Sequence, residues 1–89
     1  MYQGMQIEWG TLAIRDMRRL ATRDRERIIT KVEQYAENPA SLARQVIALT
    51  SSDYNRLRVG NYRVIFATER GETPTMVVLR VRHWRDAYG

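Results

Sequence analysis

The chain has 89 residues, 44% of them hydrophobic and 28% charged, which is typical of one small soluble globular domain spanning residues 1–89. It has no cysteine, which excludes disulfides and thiolate metal sites. No secretory segment or apolar run of about 18 residues is present, so we expect a cytoplasmic protein without membrane contact. The net charge is +5, and because Lys31 is the only lysine among 15 basic residues, 14 are arginines. Arginine forks onto phosphate and keeps its charge, so an anionic partner is indicated.

The first half of the chain predicts a short strand followed by two helices. Met5–Trp9 alternates apolar and polar residues, as a half-buried strand does. A first helix follows, with Thr11 as the expected N-cap. A second runs from roughly Asp24 to Glu37 and ends before Pro39. The apolar stripes expected on the two helices are Ala13, Met17, Leu20 and Ala21, and then Ile28, Ile29, Val32, Tyr35 and Ala36. Residues 40–53 are expected to be irregular.

The second half predicts three strands, at about 54–59, 62–68 and 75–81. The pair Gly60-Asn61 is a two-residue connection that favours a tight hairpin between the first two. The order is therefore β-α-α-β-β-β. We expect an α+β fold, a small antiparallel sheet with the helical hairpin packed on one face. The neighbour of the first strand is left open by the pattern.

Counting outward from the hairpin turn sets Arg58 opposite Arg63 and Leu57 opposite Val64. Alternation then places Leu57 with Val64 on the helix-facing side, together with Val77, Leu79 and Val81 of the last strand. The opposite face, with Val78, collects five arginines: Arg56, Arg58, Arg63, Arg80 and Arg82. Opposed like charges are destabilising unless an anion compensates them. We therefore predict a surface for a nucleic-acid backbone or an acidic protein segment; solvated arginines kept for solubility are the alternative.

The C-terminal segment adds residues that can take part in chemistry. His83 is the only side chain that ordinarily titrates near neutral pH. Trp84 and Tyr88 can close the core or stack on unpaired bases. A single histidine without a carboxylate cluster on the arginine-rich face does not indicate a metal site.

Two stretches, YNRLRVGNYRVIF (54–66) and VRHWRDAY (81–88), together resemble the RelE/ParE superfamily of toxins from type II toxin–antitoxin pairs. The resemblance covers most of the chain, and the short helices are closer to the RelE branch than to the ParE branch. It implies a microbial RNase fold and cofactor-independent cleavage of mRNA in the ribosomal A site. In that reaction the 2′-hydroxyl attacks phosphorus and leaves a 2′,3′-cyclic phosphate and a 5′-hydroxyl end.

The resemblance also implies roles for individual residues. Arg63 matches the sheet arginine that contacts the scissile phosphate, and Tyr88 matches the stacking or acid–base tyrosine. The tail arginine is Arg82 or Arg85, depending on how the tail is aligned. Further RNA contacts are expected from Arg56, Arg58, Arg80, Tyr54 and Trp84.

The chain departs from the best-known RelE members, which carry lysines where Tyr54 and Arg56 stand here. Arginine is a poor general base because it does not lose its proton. Proton removal then falls to His83, Tyr88 or an ordered water.

Two alternatives remain from the resemblance. One is a ParE-like protein that inhibits DNA gyrase without hydrolysing RNA. The other is an inactive toxin that serves as partner or corepressor of its antitoxin. Every version predicts a cognate antitoxin, with operator DNA bound only through the toxin–antitoxin complex. The leading hypothesis adds the ribosome and mRNA as partners.

Overall fold

The computed structural model describes residues 4–49 and 52–87. Its sheet has five strands in the order β1-β5-β4-β3-β2. The elements in chain order are β1 (Gln6–Trp9), α1 (Thr11–Arg18), α2 (Thr22–Glu37), a 3₁₀ helix (Pro39–Gln45), β2 (Val46–Ala48), β3 (Tyr54–Val59), β4 (Tyr62–Glu69), β5 (Thr75–His83) and α3 (Trp84–Ala87). The α+β fold class predicted from the sequence is confirmed.

The helices form where apolar residues recur at helical spacing. Ala13 and Met17 are buried on α1, and Ile28, Val32 and Ala36 are buried on α2. The α2 helix ends at Glu37, before the Asn-Pro pair, as predicted.

Two helix details differ from the sequence-based expectation. The N-cap of α1 is Gly10, not Thr11, and no side chain caps the helix. Ala21 is exposed and serves as the N-cap of α2 instead of joining the apolar stripe of the first helix. The reason is that α1 ends at Arg18 and the chain turns before α2 begins at Thr22. Counting apolar residues at helical spacing does not detect this turn.

The β3–β4 hairpin has the predicted register. Gly60 adopts a positive φ of 56° at the turn, a conformation that glycine reaches without steric cost. Arg58 pairs with Arg63, and Leu57 pairs with Val64. The turn chemistry and the alternation of side chains therefore determined this part of the sheet.

The sheet is mixed, whereas the sequence suggested an antiparallel one. The first strand, β1, runs parallel to β5, with Gln6 opposite Thr75 and Trp9 opposite Val78. The short strand β2 pairs antiparallel with β3, although residues 40–53 were expected to be irregular. A three-residue strand is too short for its alternation to stand out.

A β-bulge in β5 corrects the predicted faces of that strand. Ile65 pairs with Arg80 but Phe66 pairs with Val78, so Leu79 is an extra residue. The extra residue resets the alternation. Val78 is consequently buried with Phe66, and Leu79 leaves the helix-facing side. The sequence-based prediction was wrong for Val78 and Leu79 because it assumed unbroken side-chain alternation along the whole of β5.

The core lies between the helices and one face of the sheet. Its largest fully buried side chains are Phe66, Ile28, Leu57, Met76, Val32, Val64 and Val78. The Tyr35 ring packs at the side of Phe66, with ring centroids 5.1 Å apart. We call the other face of the sheet, which carries the hairpin arginines, the open face.

Candidate functional site

Three arginines stand in register across three strands of the open face. Arg58 of β3 pairs with Arg63 of β4, and Arg63 pairs with Arg82 of β5. Directly opposed residues of antiparallel strands have Cβ atoms about 4.5–5.5 Å apart. We call these three residues the arginine row. It brings together three of the five arginines predicted for this face.

The Arg63 guanidinium is held at the hairpin turn. Its Nη1 atom donates to the carbonyl oxygens of Gly60 and Tyr62, at 3.1 and 3.0 Å. Neither Arg58 nor Arg63 forms an ion pair with a described residue. Arg58 and Arg63 therefore present positive charge that no described residue neutralises, whereas the charge of Arg82 acts on Asp16.

The next row on the open face is interrupted. Arg56 and Arg80 occupy its ends, and Ile65 lies between them. Arg56 lines a cleft of about 220 Å³ together with Arg58 and Arg63. Arg80, by contrast, is directed to the sheet edge.

Asp16 of α1 binds Arg80 at that edge. The Arg80 Nε and Nη2 atoms donate to the two Asp16 carboxylate oxygens at 2.8 and 3.1 Å. Asp16 also accepts from the backbone N–H of Val81 at 2.9 Å, because β1 does not extend along this part of β5. Burial acts to raise the pKa of Asp16, but the bonds from Arg80 and Val81 and the charges of Arg80 and Arg82 outweigh it, so the pKa is lowered. Arg80 is thus already neutralised within the chain.

His83 lies at the end of β5, opposite Tyr62. The Tyr62 ring meets it edge-on, with centroids 5.5 Å apart, and the Tyr62 hydroxyl donates to Asp24 at 3.3 Å. Burial, the Asp24 charge and this hydrogen bond raise the pKa of Tyr62. His83 shares a cleft of about 270 Å³ with Arg82 at the end of β5, but its pairing with Tyr62 places its ring on the helix-facing side of the sheet, opposite to the arginine row.

The orientation of the His83 ring bears on its chemistry. Its Nδ1 atom accepts a hydrogen bond from the backbone N–H of Arg85 at 3.3 Å. In the neutral ring the proton then resides on Nε2. Accepting a proton at Nε2 requires the other tautomer, in which the bond to Arg85 is broken.

The tail is anchored to the hairpin turn. The backbone N–H of Trp84 donates to the Asn61 carbonyl at 2.8 Å. The guanidinium carbon of Arg85 lies 5.6 Å from the centroid of the Trp84 ring, a cation–π distance. Of the two tail arginines, Arg82 belongs to the arginine row, and Arg85 stacks on Trp84 outside it. Tyr88 lies outside the described residues.

An apolar groove on the open face was not predicted from the sequence. It has a volume of about 520 Å³ and lies between α1 and the sheet, lined by Leu12, Tyr54, Ile65 and Leu79. Leu12 and Tyr54 are 49% and 48% exposed. Ile65 and Tyr54, two residues from Arg63 and Arg56, were available signals that apolar side chains share the arginine face. The structure places Tyr54 in this groove, two rows away from the arginine row.

Neither metal nor membrane features were found in the described parts of the chain. No group of three or more His, Cys, Asp or Glu side chains there could hold a metal ion. No helix there has both the length and the apolar composition needed to cross a bilayer.

Solved toxin structures share this fold. The archaeal RelE–RelB complex from Pyrococcus horikoshii matches with a TM-score of 0.74 and 18% identity, covering 91% of this chain and 96% of the other. A mutant of Escherichia coli RelE in the free state matches with a TM-score of 0.73 and 19% identity, covering 97% and 90%. The RelBE2 toxin–antitoxin complex of Mycobacterium tuberculosis matches at 0.64 and 25%, covering 91% and 99%.

Sequence comparison assigns the family. No curated protein sequence matches significantly. The profile described as "ParE toxin of type II toxin-antitoxin system, parDE" matches residues 7–88, which include the hairpin, the arginine row and the tail. The chain therefore belongs to the ParE toxin family of type II toxin–antitoxin systems, within the RelE/ParE superfamily.

Proposed function

We propose that this toxin is a ribosome-dependent mRNA endonuclease that needs no metal and inhibits translation. The observation that carries the proposal is the arginine row, three cationic side chains in register, with His83 in the cleft at its Arg82 end. The ribosome, as target, places the activity in the cytoplasm.

The arginine row suits the charge that develops during cleavage. The RNA 2′-oxygen forms a bond to phosphorus as the bond to the 5′-oxygen breaks, and negative charge accumulates on the phosphorane oxygens. One group must accept the 2′-hydroxyl proton and another must protonate the leaving 5′-oxygen. Arg63 is held by two backbone carbonyls before substrate arrives, so its charge stabilises the transition state with little reorganisation.

His83 is our candidate for the proton acceptor. It is the histidine beside Arg82, and a shift of its proton to Nδ1 would free Nε2 to accept. The bond from the Arg85 amide is long, at 3.3 Å, so its loss costs little. Tyr88 and an ordered water remain the rival acceptors.

The test adds purified toxin to programmed ribosomes and maps the ends of the message. We expect cleavage that depends on the ribosome, withstands a chelator selective for transition metals at a Mg²⁺ concentration that keeps the ribosomes intact, and leaves 2′,3′-cyclic phosphate and 5′-hydroxyl ends. Intact message at stoichiometric toxin would contradict the proposal. It would favour either an inactive toxin that serves as the partner of its antitoxin or inhibition of DNA gyrase.

The match to the ParE toxin family keeps a second candidate, the ParE-like alternative of non-enzymatic DNA gyrase inhibition. A parallel reaction with gyrase and supercoiled DNA separates the two. Trapped DNA cleavage complexes, with message left intact on ribosomes, would select gyrase.

We also propose a cognate antitoxin that covers the open face. The Pyrococcus horikoshii and Mycobacterium tuberculosis relatives were both solved as toxin–antitoxin complexes. Here the exposed Leu12 and Tyr54 lie in an apolar groove that Arg80 also lines. An amphipathic segment with acidic residues fits both the groove and the nearby arginines. Operator DNA would be bound only by the complex.

A further inference from the structure

A second basic cleft lies between α2, the 3₁₀ helix and the tip of the β3–β4 hairpin. It has a volume of about 460 Å³ and is lined by Arg27 and Lys31 of α2 together with Gln45, Arg58, Gly60 and Arg63. We call it the α2 cleft. Neither α2 residue is among those to which the family resemblance assigns a role.

Arg27 reaches across the α2 cleft to the hairpin turn. A Cβ atom placed on Gly60 would lie 2.9 Å from its Nη1 atom, so the guanidinium lies against the turn backbone. Arg63 donates to the carbonyl oxygen of the same glycine. Two guanidinium groups therefore meet at one turn.

No acidic side chain lines the α2 cleft, and none of its four cations forms an ion pair with a described residue. Lys31 donates to the neutral amide oxygen of Gln34, at 3.3 Å. Like charges held this close repel one another until an anion binds between them.

The α2 cleft is continuous with the open face. Arg58 and Arg63 line both the α2 cleft and the cleft that contains Arg56. A linear polyanion could therefore contact the arginine row and pass over the hairpin tip to Arg27 and Lys31. A single small anion would not use that continuity.

RNA fits the α2 cleft better than an acidic protein segment does. Protein interfaces depend on apolar and aromatic anchors, and on this molecule those line the groove beside Leu12 and Tyr54. The apolar residues of the α2 cleft, Leu42 and Val59, are buried in the core. Arginine forks and a lysine point charge are instead suited to phosphate oxygens.

We propose that the α2 cleft binds a backbone phosphate of RNA, outside the scissile bond, so that bound RNA crosses the hairpin tip. The assignment rests on the proposed nuclease function for its substrate. The phosphodiester contact itself does not require cleavage.

The test compares two double variants with equal loss of charge. Arg27→Gln with Lys31→Gln removes the α2-cleft cations, and Arg15→Gln with Arg23→Gln removes two exposed helix arginines outside it. Binding of a labelled single-stranded RNA is measured by fluorescence anisotropy at several salt concentrations.

We expect the double variant of Arg27 and Lys31, the α2-cleft pair, to weaken RNA binding about tenfold. We also expect the salt slope to fall by about 0.7 for each phosphate that the variant no longer neutralises. The control pair should change both values much less.

Ribosome assays separate this role from catalysis. The α2-cleft pair should raise the toxin concentration that gives half-maximal cleavage and leave the single-turnover plateau rate unchanged. Lys31→Gln alone, which leaves the turn untouched, should show a smaller effect in the same direction if the double variant proves unstable.

Equal Kd values and salt slopes for the two double variants would overturn the proposal. So would unchanged RNA binding combined with weaker antitoxin binding, which would assign the cleft to an acidic protein segment. If the wild type binds RNA through the α2 cleft but leaves message intact on ribosomes, the inference stands and the nuclease proposal fails.

Discussion

The arginines at this site differ in whether the fold already provides them with an acidic partner. Arg63 is oriented by two carbonyl oxygens of the hairpin turn and has no acidic partner among the described residues. Arg80 is bound by Asp16. Two arginines from the same predicted face therefore have different roles, one available to phosphate and one serving the scaffold.

At this scale, Arg63→Ala should abolish growth inhibition and preserve the fold. The change removes charge from the arginine row without opening the core, because the side chain lies on the open face. Toxicity at matched expression and the melting temperature are the measurements. Arg70→Ala, in the exposed loop between β4 and β5, is the control and should stay toxic. Full toxicity of Arg63→Ala would reject the arginine row as the site.

His83→Gln tests the proton acceptor. Glutamine hydrogen-bonds but cannot take the proton, so we expect the single-turnover rate to fall by about 10²–10⁴-fold. RNA affinity should survive, because the phosphate contacts remain. Tyr88→Phe is the matched variant: it keeps an aromatic ring and loses only the hydroxyl. An active His83→Gln protein with an inactive Tyr88→Phe protein would move the role to the tyrosine, and activity in both would assign it to water.

Among the elements, the β3–β4 hairpin and the edge of β5 do most to shape the site. The hairpin was predictable because the turn sequence and the alternation are both local. The edge of β5 was not, because Asp16 is 64 residues from Arg80 in sequence. Only the packing of α1 beside β5 shows that this carboxylate caps an open strand edge.

The Asp16 contact predicts a pH-dependent stability. A carboxylate with a lowered pKa stabilises the fold above its unfolded pKa of about 3.9, and this contribution is lost as pH falls through the folded value. Asp16→Asn should therefore lower the free energy of unfolding at pH 7 by roughly 1–3 kcal/mol. The difference from wild type should shrink at acid pH. Urea unfolding at pH 7 and pH 3 measures both, with the exposed Asp53→Asn as control. An equal loss at both pH values would contradict the ionic assignment.

Substitutions at core positions of the hairpin, unlike Arg63→Ala, should lower the stability of the fold. Leu57 and Val64 are fully buried, so Leu57→Ala or Val64→Ala should lower stability by about 1–4 kcal/mol through lost packing. The melting temperature is the measurement. Ile47→Ala on β2 is the control, since Ile47 is 55% exposed. A loss at Ile47 as large as at Leu57 would mean that the edge strand is covered in solution.

Across the whole molecule, positive charge and apolar surface meet on one face. The arginine row occupies one end of the open face, and the groove beside Leu12 occupies the other. The α2 cleft extends the positive surface around the hairpin tip. An antitoxin that fills the groove can therefore cover the arginine row without entering the core.

Leu12→Ser should weaken antitoxin binding about tenfold or more and leave message cleavage unchanged, because it removes apolar contact from the groove but no site charge. Isothermal titration calorimetry with the cognate antitoxin measures the effect. Ile29→Ser, a comparably exposed residue of α2, is the control. Equal affinities for the wild type and Leu12→Ser would exclude the groove as the antitoxin site.

The sequence by itself determined the family resemblance, the fold class, the hairpin register and the presence of arginines on one sheet face. These depend on turn chemistry and on a side-chain period of two, which act over a few neighbouring residues. Tertiary structure alone decided the parallel pairing of β1, the bulge at Leu79 and the capture of Arg80 by Asp16. Each of these depends on which distant segment packs alongside, because strand pairing and edge capping join residues that are far apart in the chain.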